Sequence, residues 1–149
     1  MRSDAAVDVP VLIVGGGPVG MTASILLAQQ GIRNLVVERR AEPESAPAAH
    51  VVNARTFEIL RAAGVDASAL DAACKDPADA GFVRWVTTLA GDELGCLPFE
   101  RQGEDVLALT PTPLRNLSQP RLEAILRDHL RKQSGAALWT ASEAFDAAD

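Results

Sequence analysis

Cysteine, positive charge and long apolar runs are all scarce in this 149-residue chain, and each shortage removes a class of function. The two cysteines, Cys74 and Cys96, are far apart, form no C-x-x-C pair and have no histidines placed to complete a metal-ligand set. That excludes a zinc site and a disulfide framework, so both read as reduced thiols, and no metal-binding residue is expected. Only 14 Lys and Arg stand against 20 Asp and Glu, a net charge of -6. A nucleic acid backbone or an anionic membrane surface would be repelled overall, so a small ligand is the expected partner. The first apolar run breaks at Gly15, too soon for a signal-peptide core or a membrane span, which predicts a soluble, cytoplasmic protein. What the chain does have is material for a core. Hydrophobic residues make up 48% and charged residues 23%, a globular balance, and the length suits one domain.

The organisation is clearest at the start. Residues 9–14 form a short apolar run rich in β-branched side chains and end in consecutive glycines, the pattern of a buried strand. Residues 18–30 carry Met21, Ile25, Leu26 and Ala28 at helical spacing, with Pro18 at the start and Gly31 just past the end. Residues 35–38 form a second apolar run closing on Glu38, so residues 9–38 make a β-α-β unit of the usual size, with a right-handed crossover. A loop over 41–50 follows. Asn53 then caps a helix running to about Ala63 and stopped by Gly64, with a shorter helix over 67–75. Residues 82–89 and 94–97 flank Ala90-Gly91-Asp92-Glu93 as a hairpin. After an irregular stretch over 110–113, Ser118 caps a helix with Leu122, Ile125, Leu126 and Leu130 on one face until Gly135, and residues 136–140 form a third strand.

The chemistry-bearing feature is Gly15-Gly16-Gly17-Pro18-Val19-Gly20, a G-x-G-x-x-G sequence at the junction of a predicted strand and helix. The first glycine permits the tight turn, the second lets the backbone approach a pyrophosphate, and the third allows close helix–strand packing. The helix N-terminus supplies unpaired N–H groups and a positive dipole end, which favour an anion. Ser24, one turn past Gly20, keeps that face close to the sheet, and Glu38 stands where a carboxylate can accept hydrogen bonds from ribose hydroxyls. The neighbouring Arg39-Arg40 would suit a 2′-phosphate, but Glu38 would repel one. The turn therefore predicts FAD or NAD and does not separate them.

The continuation of the chain resembles one family. Residues 11–40, the block H-V-V-N-A-R-T-F-E-I-L-R-A-A-G over 50–64 and the block S-Q-P-R-L-E-A-I-L-R-D-H-L over 118–130 are similar, in order, to the N-terminal blocks of flavoprotein aromatic hydroxylases, nearest the phenol and dichlorophenol hydroxylases. That resemblance selects FAD. It implies an α/β fold, a Rossmann-like parallel sheet with a β-α-β FAD-binding unit and a small β-hairpin insertion, incomplete in this chain. Residues 1–149 would be the N-terminal part of the FAD-binding domain, without the substrate-binding and later FAD-binding segments. The alternatives are an NAD-binding dehydrogenase domain or a non-catalytic dinucleotide-binding module.

By the same resemblance Gly15, Gly16, Gly17, Pro18, Val19 and Gly20 would hold the pyrophosphate. Glu38, with Arg39 beside it, would hold the adenosine ribose, and Gln119 another polar part of the cofactor. Ala48 stands where many relatives carry a flavin-contacting Arg. Arg55 and Arg61 read as helix-surface charges, and His50 and His129, for which no catalytic carboxylate is identified, as structural or surface residues; no catalytic residue is assigned. The full-length enzyme would use NAD(P)H as co-substrate and O2 to hydroxylate a small phenolic or aromatic substrate. The resemblance also implies that residues 136–140 lie beside 35–38 and those beside 9–14, which leaves one side of the first strand open and a homodimer as the candidate assembly.

Overall fold

The computed structural model describes residues 7–43, 49–99 and 104–145. The elements in chain order are β1 (Val11–Val14), α1 (Pro18–Gln29), β2 (Asn34–Val37), β3 (Val51–Val52), α2 (Ala54–Ala62), α3 (Ala67–Ala73), a 3-10 turn (Pro77–Ala80), β4 (Phe82–Val86), β5 (Glu93–Pro98), a second 3-10 turn (Glu104–Ala108), β6 (Arg115–Asn116), α4 (Gln119–Leu130) and β7 (Ala136–Trp139). They divide into two compact units, one made of residues 1–46 and 122–149 and the other of residues 47–121.

The first unit is the predicted α/β layer. Its sheet has the order β1-β2-β7, with both pairs parallel, Leu12 opposite Leu35 and Leu35 opposite Ala137. β2 is the central strand and is buried throughout, as a parallel strand flanked on both sides must be. β1 begins at Val11 rather than at residue 9, because Pro10 has no N–H to give a neighbouring strand. Helix α1 packs on the sheet through Met21, Ser24 and Ile25, while Leu26, expected on the same face, is 39% exposed. Gly31, with φ +74°, ends the helix. Its N–H donates to Ala28 O at 2.9 Å and the N–H of Ile32 to Leu27 O at 3.0 Å, the paired bonds of a Schellman motif. In α4, Leu122, Leu126 and Leu130 recur every fourth residue and are buried; Ile125 is only half-buried.

The second unit buries Phe57 and Leu60 of α2, Ala63, Val65, Leu70 of α3, Val106 and Leu117. Asn53 caps α2, its side chain accepting from Thr56 N–H at 2.8 Å, and Gly64 ends it with φ +74°. The expected hairpin is present as antiparallel β4–β5, but its connection is longer than the glycine and acid residues suggested. Val86 pairs with Glu93, so Glu93 belongs to the strand and residues 87–92 make the turn, with a register irregularity at Trp85/Val86. A two-residue antiparallel pair, β3 with β6, was not foreseen. Among the described residues no helix is long and apolar enough to cross a membrane.

Candidate cofactor site

The turn after β1 shows why the chain needs glycine at several positions, each for a different reason. Gly15 has φ +110°, a left-handed conformation that side chains oppose, and its N–H donates to Val37 O at 2.8 Å, closing the turn onto β2. At Gly20 a Cβ would stand 2.0 Å from Gly15 O and 3.3 Å from Ile13 Cγ2, so its absence lets α1 sit against the turn and strand. At Gly16 a Cβ would stand 2.8 Å from the Cβ of Glu38. Gly17 differs from all of these. Its backbone is extended, with φ -75° and ψ -177°, and an added Cβ would meet nothing within 4 Å. Among the described residues nothing requires glycine there, so the open space beside it suits a group from outside.

Gly17 is also the N-cap of α1, and no side chain caps the helix. Pro18, in the first helical position, has no N–H, which leaves Val19 and Gly20 as the first-turn donors without an intrahelical acceptor. The first turn carries no acidic residue, and Val19 is 85% exposed. An anion placed at this end would meet free donors and the positive end of the helix dipole.

Glu38 follows β2 directly, and both of its carboxylate oxygens are engaged. Oε2 accepts from Gly16 N–H at 2.7 Å and Oε1 from Arg40 N–H at 2.8 Å. Partial burial alone would raise its pKa. The two backbone donors and the charges of Arg40 and Arg39 outweigh that and hold the carboxyl below the ordinary glutamate value. An ionised carboxylate accepts up to about four hydrogen bonds, so two acceptor positions remain for hydroxyl donors. Below the turn, Ser24 Oγ donates to Asn34 Oδ1, and Asn34 Nδ2 returns bonds to Ser24 O at 3.1 Å and Ile32 O at 3.2 Å. Ser24 and Asn34 are both buried, and this exchange is what satisfies them.

A family model described as FAD binding domain matches residues 8–145. The chain belongs to that FAD-binding domain family. Similar proteins include 2,4-dichlorophenol 6-monooxygenase of Cupriavidus pinatubonensis, 36% identical over 125 residues, which cover 80% of this chain and 21% of that protein. Tetracenomycin B2 monooxygenase-dioxygenase of Streptomyces olivaceus is 35% identical over 136 residues, covering 82% of this chain and 25% of that one. Among solved structures, aklavinone-11 hydroxylase in a ternary complex with FAD and aklavinone is similar with a TM-score of 0.77 and 33% identity, over 92% of this chain and 26% of that chain. The chain thus spans about a quarter of the length of the curated relatives it matches. The resemblance to aromatic hydroxylases stands, and it decides for FAD where the glycine turn alone left NAD open.

In this FAD-binding domain the glycine turn, Glu38 and Arg39 come together in the first unit. Gln119 falls in the second, as the first residue of α4, with its N–H donating to Ala49 O at 2.7 Å. His50 contributes its carbonyl to Leu117 N–H at 2.8 Å, and a ring nitrogen of His129 bonds Gln133 Nε2 at 2.9 Å. Arg55 pairs with Glu58 at 3.0 Å on the surface of α2, while Arg61 lines an open groove of about 460 Å³ with Asp71, Cys74, Lys75, Asp76 and Arg115. Ala48 lies outside the described residues. Sequence reasoning missed Asn34, a polar residue opening an otherwise apolar strand ten positions after Ser24, and it missed Ala141, with φ 50° just past β7.

Proposed function

We propose that this chain holds the ADP half of FAD in a flavin-dependent monooxygenase that hydroxylates phenolic or aromatic substrates with NAD(P)H and O2. It would be the N-terminal part of the FAD-binding domain, with the substrate-binding and remaining cofactor-binding segments supplied by other parts of a longer protein. The observation that carries the reading is Gly17, an extended residue facing open space at an uncapped helix N-terminus, within the same turn that binds Glu38. Gly15, Gly16 and Gly17 would bring the backbone against the pyrophosphate, and Pro18, Val19 and Gly20 would start the helix whose N–H groups offset its charge. Glu38, with Arg39 beside it, would accept hydrogen bonds from the ribose hydroxyls, and Gln119 would contact another polar part of the cofactor. FAD, when bound, supplies the redox chemistry. The residues of this chain bind and orient it.

The test is flavin content. A Gly17→Val protein, purified as the full-length enzyme, should emerge colourless and fail to take up added FAD, because the side chain fills the space left for the pyrophosphate. Full flavin occupancy in that variant would sink the assignment. Phenol-stimulated NAD(P)H oxidation by the wild-type enzyme tests the wider activity.

A further inference from the structure

β7 ends at Trp139, yet the chain beyond it goes on bonding to the segment that carries Glu38. Glu38 N–H donates to Trp139 O at 2.8 Å, Ser142 N–H to Glu38 O at 3.0 Å and Ala141 N–H to Arg40 O at 3.2 Å. Arg40 N–H is in turn the donor to Glu38 Oε1. Trp139 and Ser142 therefore hold the backbone of Glu38, and Ala141 holds the carbonyl of Arg40, the residue whose N–H reaches the Glu38 carboxylate. Ala141 shapes that segment. With φ 50° it is the one non-glycine residue of positive φ among the described residues. It is exposed, so no packing of its methyl group accounts for the conformation. Left-handed backbone at a non-glycine residue persists only where surrounding bonds over-determine it. Here those bonds are the ones to Arg40 and Glu38, supported by Ser142 Oγ donating to Thr140 O at 3.0 Å.

We infer that Ala141 is a positioning residue for cofactor binding: its left-handed turn holds residues 38–40 so that the Glu38 carboxylate faces the ribose hydroxyls. This rests on the role proposed for Glu38. The requirement is for a backbone conformation and not for a side chain, so substitutions should rank by their tolerance of positive φ. Gly and Asn tolerate it, Leu less, and Val least because it is branched at Cβ.

The experiment is FAD titration of the full-length protein carrying Ala141→Gly, Ala141→Asn, Ala141→Leu or Ala141→Val. Gly and Asn should bind FAD like wild type, Leu more weakly, and Val with a dissociation constant raised about tenfold, the ratio that a displaced charge-assisted hydrogen bond produces. In a Glu38→Ala background, Ala141→Val should add almost nothing, since the two changes remove one interaction. Should the Val protein not fold, the Leu protein carries the same comparison. A flat series, a loss in Asn equal to that in Val, or a Val (or Leu) penalty undiminished on Glu38→Ala would overturn the positioning role while leaving Glu38 intact. A Glu38→Ala protein that binds FAD as wild type does would overturn the role of Glu38 and this one with it.

Discussion

Gly16 and Glu38 constrain each other: the N–H of Gly16 donates to Glu38 Oε2 at 2.7 Å, and a Cβ on Gly16 would stand 2.8 Å from the Glu38 Cβ. The hydrogen bond draws the Gly16 backbone onto the Glu38 side chain, at a separation that only glycine permits. Gly16→Ala should therefore push Glu38 out of place and destabilise the fold by about 1–3 kcal/mol, the usual cost of overpacking. Urea denaturation of the two proteins measures it, and equal midpoints would show that β2 yields without strain.

Gly17 and Gly20 should separate binding from folding. Gly20→Ala places a methyl group 2.0 Å from Gly15 O, a backbone atom that cannot swing aside, so the loss should appear as lowered thermal stability without any ligand. Gly17→Ala meets nothing within 4 Å and keeps an ordinary φ, so apo stability should change by no more than about 0.5 kcal/mol while FAD affinity falls. Melting curves with and without FAD distinguish the two, and a Gly17→Ala protein as unstable as Gly20→Ala would contradict the division.

The Glu38 carboxyl sets an acid-side dependence of stability. Its folded pKa lies below the ordinary glutamate value because Arg40 N–H, Gly16 N–H and the two arginine charges outweigh the burial that would raise it. A depressed folded pKa means stability that is fully present above the unfolded value of about 4.3 and is lost as pH falls through the folded one. The stability difference between wild type and Glu38→Gln should stay constant from pH 7 to about pH 5 and shrink below that. A difference that grows on acidification would reverse the sign and refute the account.

β1 is bonded to β2 on one side, and among the described residues nothing pairs with its other side. Leu12 and Val14 are 53% and 69% exposed along it. An apolar strand with an unpaired edge recruits other chains. Residues 1–149 expressed alone should self-associate, with an apparent size in gel filtration that rises with concentration. A monodisperse monomer across a wide concentration range would show the edge to be protected.

The β-α-β unit and its glycine turn were legible in the amino-acid order because they obey local rules. Strand, turn, helix and strand lie within about thirty residues, the helix ends are marked by Pro18 and Gly31, and Gly15 and Gly20 each have a separate steric reason. The caps at Asn53 and Gly64 were legible for the same reason. The hairpin boundary was not, because Gly91 and Asp92 mark a turn without saying how many residues it takes, and the pairing of Val86 with Glu93 settles that. Leu26 was misplaced because helical spacing defines an apolar stripe only to within about one residue, whereas its exposure is set by which side of α1 meets β2.

What the sequence by itself determined is the chemistry available: a glycine turn at a helix start, a carboxylate at the end of a strand, and an order of blocks that belongs to an FAD-binding domain. Tertiary structure alone decided how that carboxylate is held. The bonds from Gly16 and Ser142 to Glu38 join segments far apart in the chain, and each requires the parallel register β1-β2-β7 before donor and acceptor can meet, whereas the bond from Arg40 is local. Hydrogen bonds between distant segments leave no periodic trace in composition, and a left-handed alanine leaves none either. Both follow from which strands lie side by side.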